Sequence, residues 1–157
     1  MKIKFLVLGK TNFAYLKEGE TIYENRIIHY CNFIRVDVPD VKNPKNISTE
    51  VLKKKEGDLL LSKISPNDFV VLLDENGQQF SSNKFASWLE NKAMEMPNCI
   101  TFIVGGAYGF DDELYRRANF KMSLSAMTYS HQMVRLIFLE QLYRAFSIIR
   151  NEPYHHA

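Results

Sequence analysis

Three short, mainly apolar runs, 3-IKFLVL-8, 69-FVVLL-73 and 100-ITFIV-104, constrain this chain more than any other feature. Each is too short for a buried helix, and each stops at a residue suited to a turn: Gly9, Asp74 and Gly105. Continuous rather than alternating apolarity is the pattern of a strand covered on both faces, as in a parallel sheet. A fourth run, 33-FIRVDV-38, alternates and ends at Pro39, so it reads as a strand with one face more exposed. Helical spacing fills the gaps. Leu16, Ile22, Tyr23, Ile27 and Tyr30 predict a helix between Phe13 and Tyr30, with Gly19 a weak point of about 1 kcal/mol against alanine. Ser48 is placed to cap a helix through Val51, Leu52, Leu59 and Leu60, and Ser82 one through Phe85, Ala86, Leu89 and Ala93 that ends before Pro97. The segment 39-PDVKNPKNIST-49 reads as a loop, 74-DENG-77 as a turn whose Gly77 tolerates positive φ, and 111-DDELYRRA-118 as a short acidic helix.

Strand and helix alternating through short connections predict an α/β fold, a mainly parallel sheet with helices on both faces. In such sheets ligands bind at the carboxyl ends of the strands. Three loops meet that criterion: those after Leu73-Asp74, at Gly105-Gly106, and after 119-NFKMSL-124. They converge if their strands are neighbours. The turn 105-GGAYG-109 lets a ligand approach the backbone, but by itself it is equally a tight turn. It lacks the GxGxxG spacing and follows the fourth strand, so a dinucleotide site using Asp37 or Asp74 on a ribose fits poorly.

Composition narrows the class. With 157 residues, 46% of them hydrophobic, the chain has material for one core, and a single domain over 1–157 is expected. A net charge of +2 does not argue for nucleic acid, and Lys53-Lys54-Lys55 reads first as a solvated helix face, with RNA contact the minority reading. No apolar run approaches a membrane span of roughly 20 residues. Met1-Lys2-Ile3 leads into a strand and not a signal peptide, so a cytoplasmic protein without a membrane partner is expected. Cys31 and Cys99, far apart and outside any CxxC, read as core thiols. His155-His156 without a third ligand predicts no metal site.

The last third combines a polar loop, 123-SLSAMTY-129, a helix from His131 to about Ile149, and an aromatic-histidine tail. Val134, Phe138, Leu142, Ala145 and Ile149 form one stripe, widened by Met133, Ile137, Leu139, Phe146 and Ile148. Such breadth implies burial on two sides, one against the sheet and one against a second subunit. Arg135 in that apolar helix calls for an acidic partner or an anion, with Glu140 the nearest acid along the chain. A lone His131 at the helix start is ordinarily structural.

Taken together, 105-GGAYG-109, 123-SLSAMTYSHQMVRLIFLEQLYRA-145 and 153-PYH-155 resemble the ribosomal RNA large-subunit methyltransferase H family of the SPOUT superfamily, and the similarity runs through LDENG and SSNKFA along essentially the whole chain. The resemblance implies a deep trefoil knot near the C-terminus, a homodimer, S-adenosylmethionine as cofactor, and methylation of N3 of a pseudouridine in 23S rRNA on the assembled ribosome. By position it assigns the cofactor pocket to Leu73, Gly105, Leu124, Ser125, Ala126, Met127, Thr128 and Tyr129. His131, Arg135, Tyr154 and His155 are then the candidates for orienting the acceptor base or handling its proton, with Tyr154 and His155 acting across the dimer. Ser130 stands where relatives commonly carry proline and is expected to loosen the loop. Two other classes stay open: a ribosome-associated RNA-binding dimer with a vestigial pocket, and a Rossmann-type nucleotide enzyme.

Overall fold

The structure, a computed structural model, describes residues 1–42, 44–95 and 98–156. Five parallel strands form one sheet: β1 (Lys2–Leu8), β2 (Asn32–Val38), β3 (Phe69–Gln79), β4 (Cys99–Val104) and β5 (Phe120–Ser123), in the order β2-β1-β4-β3-β5. The helices are α1 (Ala14–Ile27), α2 (Thr49–Leu61), α3 (Ser82–Glu95), α4 (Asp112–Arg117) and α5 (Met133–Ile149).

Strand pleating divides the core into two layers. Ile3, Phe5 and Val7 of β1 join Phe102 of β4 beneath α1, α3 and α5, where Ile27, Leu89 and Phe138 close the layer. Leu6, Leu8 and Ile103 face the other way, under Leu60 of α2 and Leu114 of α4. The continuous apolar runs are thus strands covered on both faces, and alternating β2 is the sheet edge, which explains its half-exposed pattern. The buried strand carboxylate Asp68 is satisfied by Lys4 and Thr101.

Local expectations need four corrections. Asp74–Gly77 does not end β3: Met122 pairs with both Leu73 and Gln78, so the four residues bulge out and the strand resumes against β5. Gly77 has no positive φ; its role is close approach, since a Cβ there would lie 2.6 Å from the Lys121 backbone carbon. At α3 the cap is Ser81, whose Oγ accepts from the Lys84 amide, while Ser82 inside the helix donates to Gln141. Within the expected 39–49 loop, Pro44–Asn46 form a single 3-10 turn. Ser48 and Asp111 cap α2 and α4 by accepting from the Val51 and Leu114 amides. Asn43 and Pro97 lie outside the described residues. Among the described residues no helix is long and apolar enough to cross a membrane. Lys54 of the lysine triplet pairs with Asp58 and Glu113, as a solvated face does.

Candidate active site

Because β4, β3 and β5 are neighbours, the loops leaving their carboxyl ends meet around a cleft of about 620 Å³. The order of the sheet reverses at β1 and β4, yet the cleft sits toward β3 and β5, where the Asp74–Gly77 bulge and the loop before α5 raise its walls. Leu73, Val104 and Met122 line its floor.

One wall is the glycine turn. Gly106 and Gly109 close it through a backbone bond of 3.2 Å, and Gly109 takes φ +83°. At Gly105 a Cβ would stand 2.8 Å from the Phe110 ring, so glycine lets Phe110 fold back under the turn without shifting. Behind Gly106 lies Glu56, a buried carboxylate with one oxygen unpaired among the described residues. Burial, then the nearby Asp40 charge, pushes its pKa up.

The opposite wall is the Leu124–Ser130 loop, held by its own hydroxyls. Ser123 Oγ donates to the Ser125 carbonyl at 2.8 Å, Ser125 Oγ accepts from the Met127 amide at 2.9 Å, and Thr128 donates to Glu75 on the β3 bulge. Ser130 does not loosen the loop as expected: its Oγ accepts from the Met133 amide and so caps the first turn of α5. Asp74 is already engaged, accepting from the Asn76 amide and the Tyr115 hydroxyl, and Asp37 is bonded to Arg35. Asp37 does not line the cleft, and Asp74 on its wall already accepts two hydrogen bonds.

Of the positions singled out for a cofactor, Leu73, Gly105, Leu124, Ser125, Met127, Thr128 and Tyr129 line this one cleft, while Ala126 is exposed on the same loop outside it. His131 lines it too. Burial first, then Arg135, lowers the His131 pKa, partly opposed by Asp40. Arg135 does not reach the cleft. It is fully buried, and its guanidinium donates to the carbonyls of Leu8 (2.6 Å) and Gly9 (2.9 Å) and to Thr11 Oγ1 (3.2 Å). The acid or anion expected for it is replaced by carbonyls at the end of β1; Glu140 instead holds Arg144.

Tyr154 and His155 lie at the far end of α5. The tail folds back onto Glu140 and Arg144, nine and thirteen residues along α5 from His131, about 14–20 Å at 1.5 Å per residue, and neither Tyr154 nor His155 lines the cleft that His131 lines. The tail is nevertheless ordered by side chains that the sequence reading passed over. The Arg144 guanidinium stacks over the Tyr154 ring at 4.8 Å and stands 3.0 Å from His155 Nδ1. Tyr154 OH donates to Glu140 and packs edge-on against Tyr143. Arginine only donates, so Nδ1 is the acceptor in this contact and the ring proton falls to Nε2, which is buried with no partner among the described residues. Burial raises the Tyr154 pKa, and its hydrogen bond with Tyr23 and the Glu140 charge add to it, so it stays a phenol. The Glu140/Arg144 spacing of four was the available signal for this anchor.

The cleft fits S-adenosylmethionine in size, since small-molecule pockets run from about 300 to 1,000 Å³. It fits in chemistry as well: Leu73, Leu124 and Met127 offer apolar faces for an adenine, and the glycine turn leaves backbone open to a ribose and methionine chain.

An all-parallel α/β sheet with a pre-formed cleft at its carboxyl edge defines a small-molecule-binding α/β protein. The family model described as "Predicted SPOUT methyltransferase" matches residues 1–155, and the chain belongs to that family. Proteins carrying the name ribosomal RNA large subunit methyltransferase H are 50% identical over 156 residues in Parabacteroides distasonis and in Christiangramia forsetii, and 49% identical in Flavobacterium johnsoniae, in each case across 99% of both chains. Among solved structures, the tRNA (m1G37) methyltransferase of Aquifex aeolicus superposes with a TM-score of 0.58 at 16% identity, covering 100% of this chain and 76% of that one, a likeness of fold.

Proposed function

We propose that this chain is an S-adenosylmethionine-dependent methyltransferase of large-subunit ribosomal RNA, methylating N3 of a pseudouridine in 23S rRNA as a cytoplasmic homodimer on the assembled ribosome. The observation that carries the reading is the cleft formed by β3, β4 and β5, in a chain 50% identical over 156 residues to a relative named ribosomal RNA large subunit methyltransferase H. Leu73, Gly105, Leu124, Ser125, Met127, Thr128 and Tyr129 hold the cofactor, with Ala126 serving only as part of the loop that carries them. The bound cofactor supplies an activated methyl group, which leaves the protein the tasks of alignment and proton handling. A trefoil crossing of the Leu124–Ser130 loop over the β3 bulge would suit the Thr128–Glu75 bond between them.

Roles for the polar groups follow from their protonation. His155, its ring orientation held by Arg144 through Nδ1, helps to orient the acceptor base. Tyr154, kept a phenol, shapes the same wall beside it. His131, kept neutral by burial, is the group suited to accept the N3 proton. Arg135 acts through the backbone at Leu8 and Gly9 and supports His131 from beneath. The separation of His131 from the tail along α5 favours a site shared by two antiparallel subunits, each lending its tail to the other.

Mixing two inactive variants tests this arrangement. A His131→Ala chain and a chain truncated before Tyr154, combined in equal amounts, regain part of the transfer of labelled methyl groups to large subunits. No recovery in a mixture verified as a heterodimer contradicts the shared site.

A further inference from the structure

Four arginines stack on aromatic rings: Arg26, Arg35, Arg144 and Arg150. Arg35 is bonded to three carboxylates and Arg144 to Glu140. Arg26 and Arg150 are exposed, and among the described residues neither has a carboxylate within salt-bridge distance. Arg26 lies over both Tyr23 (5.6 Å) and Tyr143 (5.3 Å), and Arg150 over Tyr30 (4.8 Å). The acids closest along the chain are spent elsewhere: Glu24 on Arg35, Glu140 on Arg144 and Tyr154, and Glu152 on the Tyr30 hydroxyl.

The rings beneath these arginines form one connected group. Tyr143 contacts Tyr23 at 6.0 Å, Tyr30 at 6.1 Å and Tyr154 at 4.6 Å, so both guanidinium groups are mounted on the aromatic cluster that anchors the Tyr154-His155 tail. A guanidinium laid on a ring has lost much of its freedom beforehand, while its N–H edge stays open for bidentate bonding to an oxyanion. Two such groups beside the proposed acceptor-facing tail suit the phosphates of a nucleic-acid strand whose base enters there, and the half-buried rings around them suit that strand better than an acidic protein helix.

We propose that Arg26 and Arg150 are phosphate-binding groups for the RNA strand flanking the acceptor base, holding it beside the tail of the subunit that carries them. The assignment rests on the reading of the chain as an rRNA methyltransferase and adds the surface that grips the RNA. With a net charge of only +2, the chain makes few phosphate contacts, so two of them weigh heavily in its salt dependence.

The test measures binding of the full-length protein to large ribosomal subunits and to 23S rRNA over a salt series. Replacing both residues, Arg26→Gln with Arg150→Gln, lowers the slope of log affinity against log salt by roughly 0.7–0.9 per residue and weakens binding about ten- to a hundredfold at low salt. The Arg26→Lys and Arg150→Lys pair keeps most of the slope because the charges remain. Affinity for S-adenosylmethionine and the sedimentation coefficient stay at wild-type values. An unchanged slope overturns the proposal, and so does a changed oligomeric state, which would assign the arginines to a contact between copies or with another protein. If the wild type binds the cofactor but neither RNA probe, the substrate reading itself fails and takes this proposal with it.

Discussion

The Arg135 guanidinium donates to the Leu8 carbonyl at 2.6 Å, tying the first turn of the fold's longest helix to the carboxyl end of its first strand. The same group reaches Gly9 and Thr11, so one side chain satisfies the β1 exit where the backbone leaves the sheet. Burial, then Arg35, lowers its pKa while Glu20 opposes, and it remains a cation. Replacing it by alanine strands two buried carbonyls and opens a cavity, an expected loss of about 2–5 kcal/mol. Urea denaturation of Arg135→Ala and Arg135→Lys shows this as a lower midpoint for both, with lysine retaining part of the stability. A folded variant of wild-type midpoint that had lost only activity would place Arg135 in the chemistry instead.

His131 titrates below its ordinary range because burial and Arg135 disfavour the imidazolium. The folded state therefore binds this proton less readily than the unfolded chain. Its contribution to stability is complete above the unfolded value of about 6.5 and is lost as pH falls through the lower folded value. Thermal midpoints of the wild type should drop more steeply than those of His131→Gln as pH is taken from 7 to 5. Parallel curves would mean that the imidazole is as free as in a peptide.

Glu56 has the opposite sign. Its folded pKa is raised, so its contribution is present below the unfolded carboxyl value and is lost as pH rises through the folded one. Glu56→Gln removes the unpaired buried charge without changing shape. It is expected to raise the melting temperature at pH 8 by about 2–4 °C for each kcal/mol gained, and to leave the midpoint near pH 4 almost unchanged. Destabilisation at pH 8 would show that the carboxylate has a partner.

Two glycines separate folding from binding. Alanine at Gly77 puts its methyl 2.6 Å from the Lys121 backbone, which cannot yield without breaking the β3–β5 pairing, so loss of the folded state is expected. Alanine at Gly105 meets only the Phe110 ring at 2.8 Å, and a ring can rotate. Calorimetry should find Gly105→Ala folded, with affinity for S-adenosylmethionine reduced about tenfold or more, equivalent to 1.4 kcal/mol or above. Equal affinity would remove the turn from the cofactor site.

Much of this architecture is legible in the residue pattern because buried parallel strands leave mainly apolar runs, and the exits of β1 and β4 are marked by Gly9 and Gly105. The convergence of three loops on one cleft could be anticipated conditionally, since only strand order decides it, and β4 beside β3 and β5 is a long-range fact. The β3 bulge was hidden, because DENG has the composition of a turn and nothing local says that Gln78 pairs again with Met122. Arg135 was misjudged for the same reason: carbonyl partners at Leu8 and Gly9 carry no sequence mark. The Arg144–His155 contact is carried by tertiary placement of a short tail, and periodicity says nothing of it.

The central claim, methyl transfer to one pseudouridine of 23S rRNA, is tested most directly by nucleoside mass spectrometry of 23S rRNA from cells with and without this gene. The account predicts that a single N3-methylpseudouridine disappears with the gene and returns when the purified protein and S-adenosylmethionine are added to the large subunits. An unchanged nucleoside inventory, or a methyl lost from a different base, would contradict it.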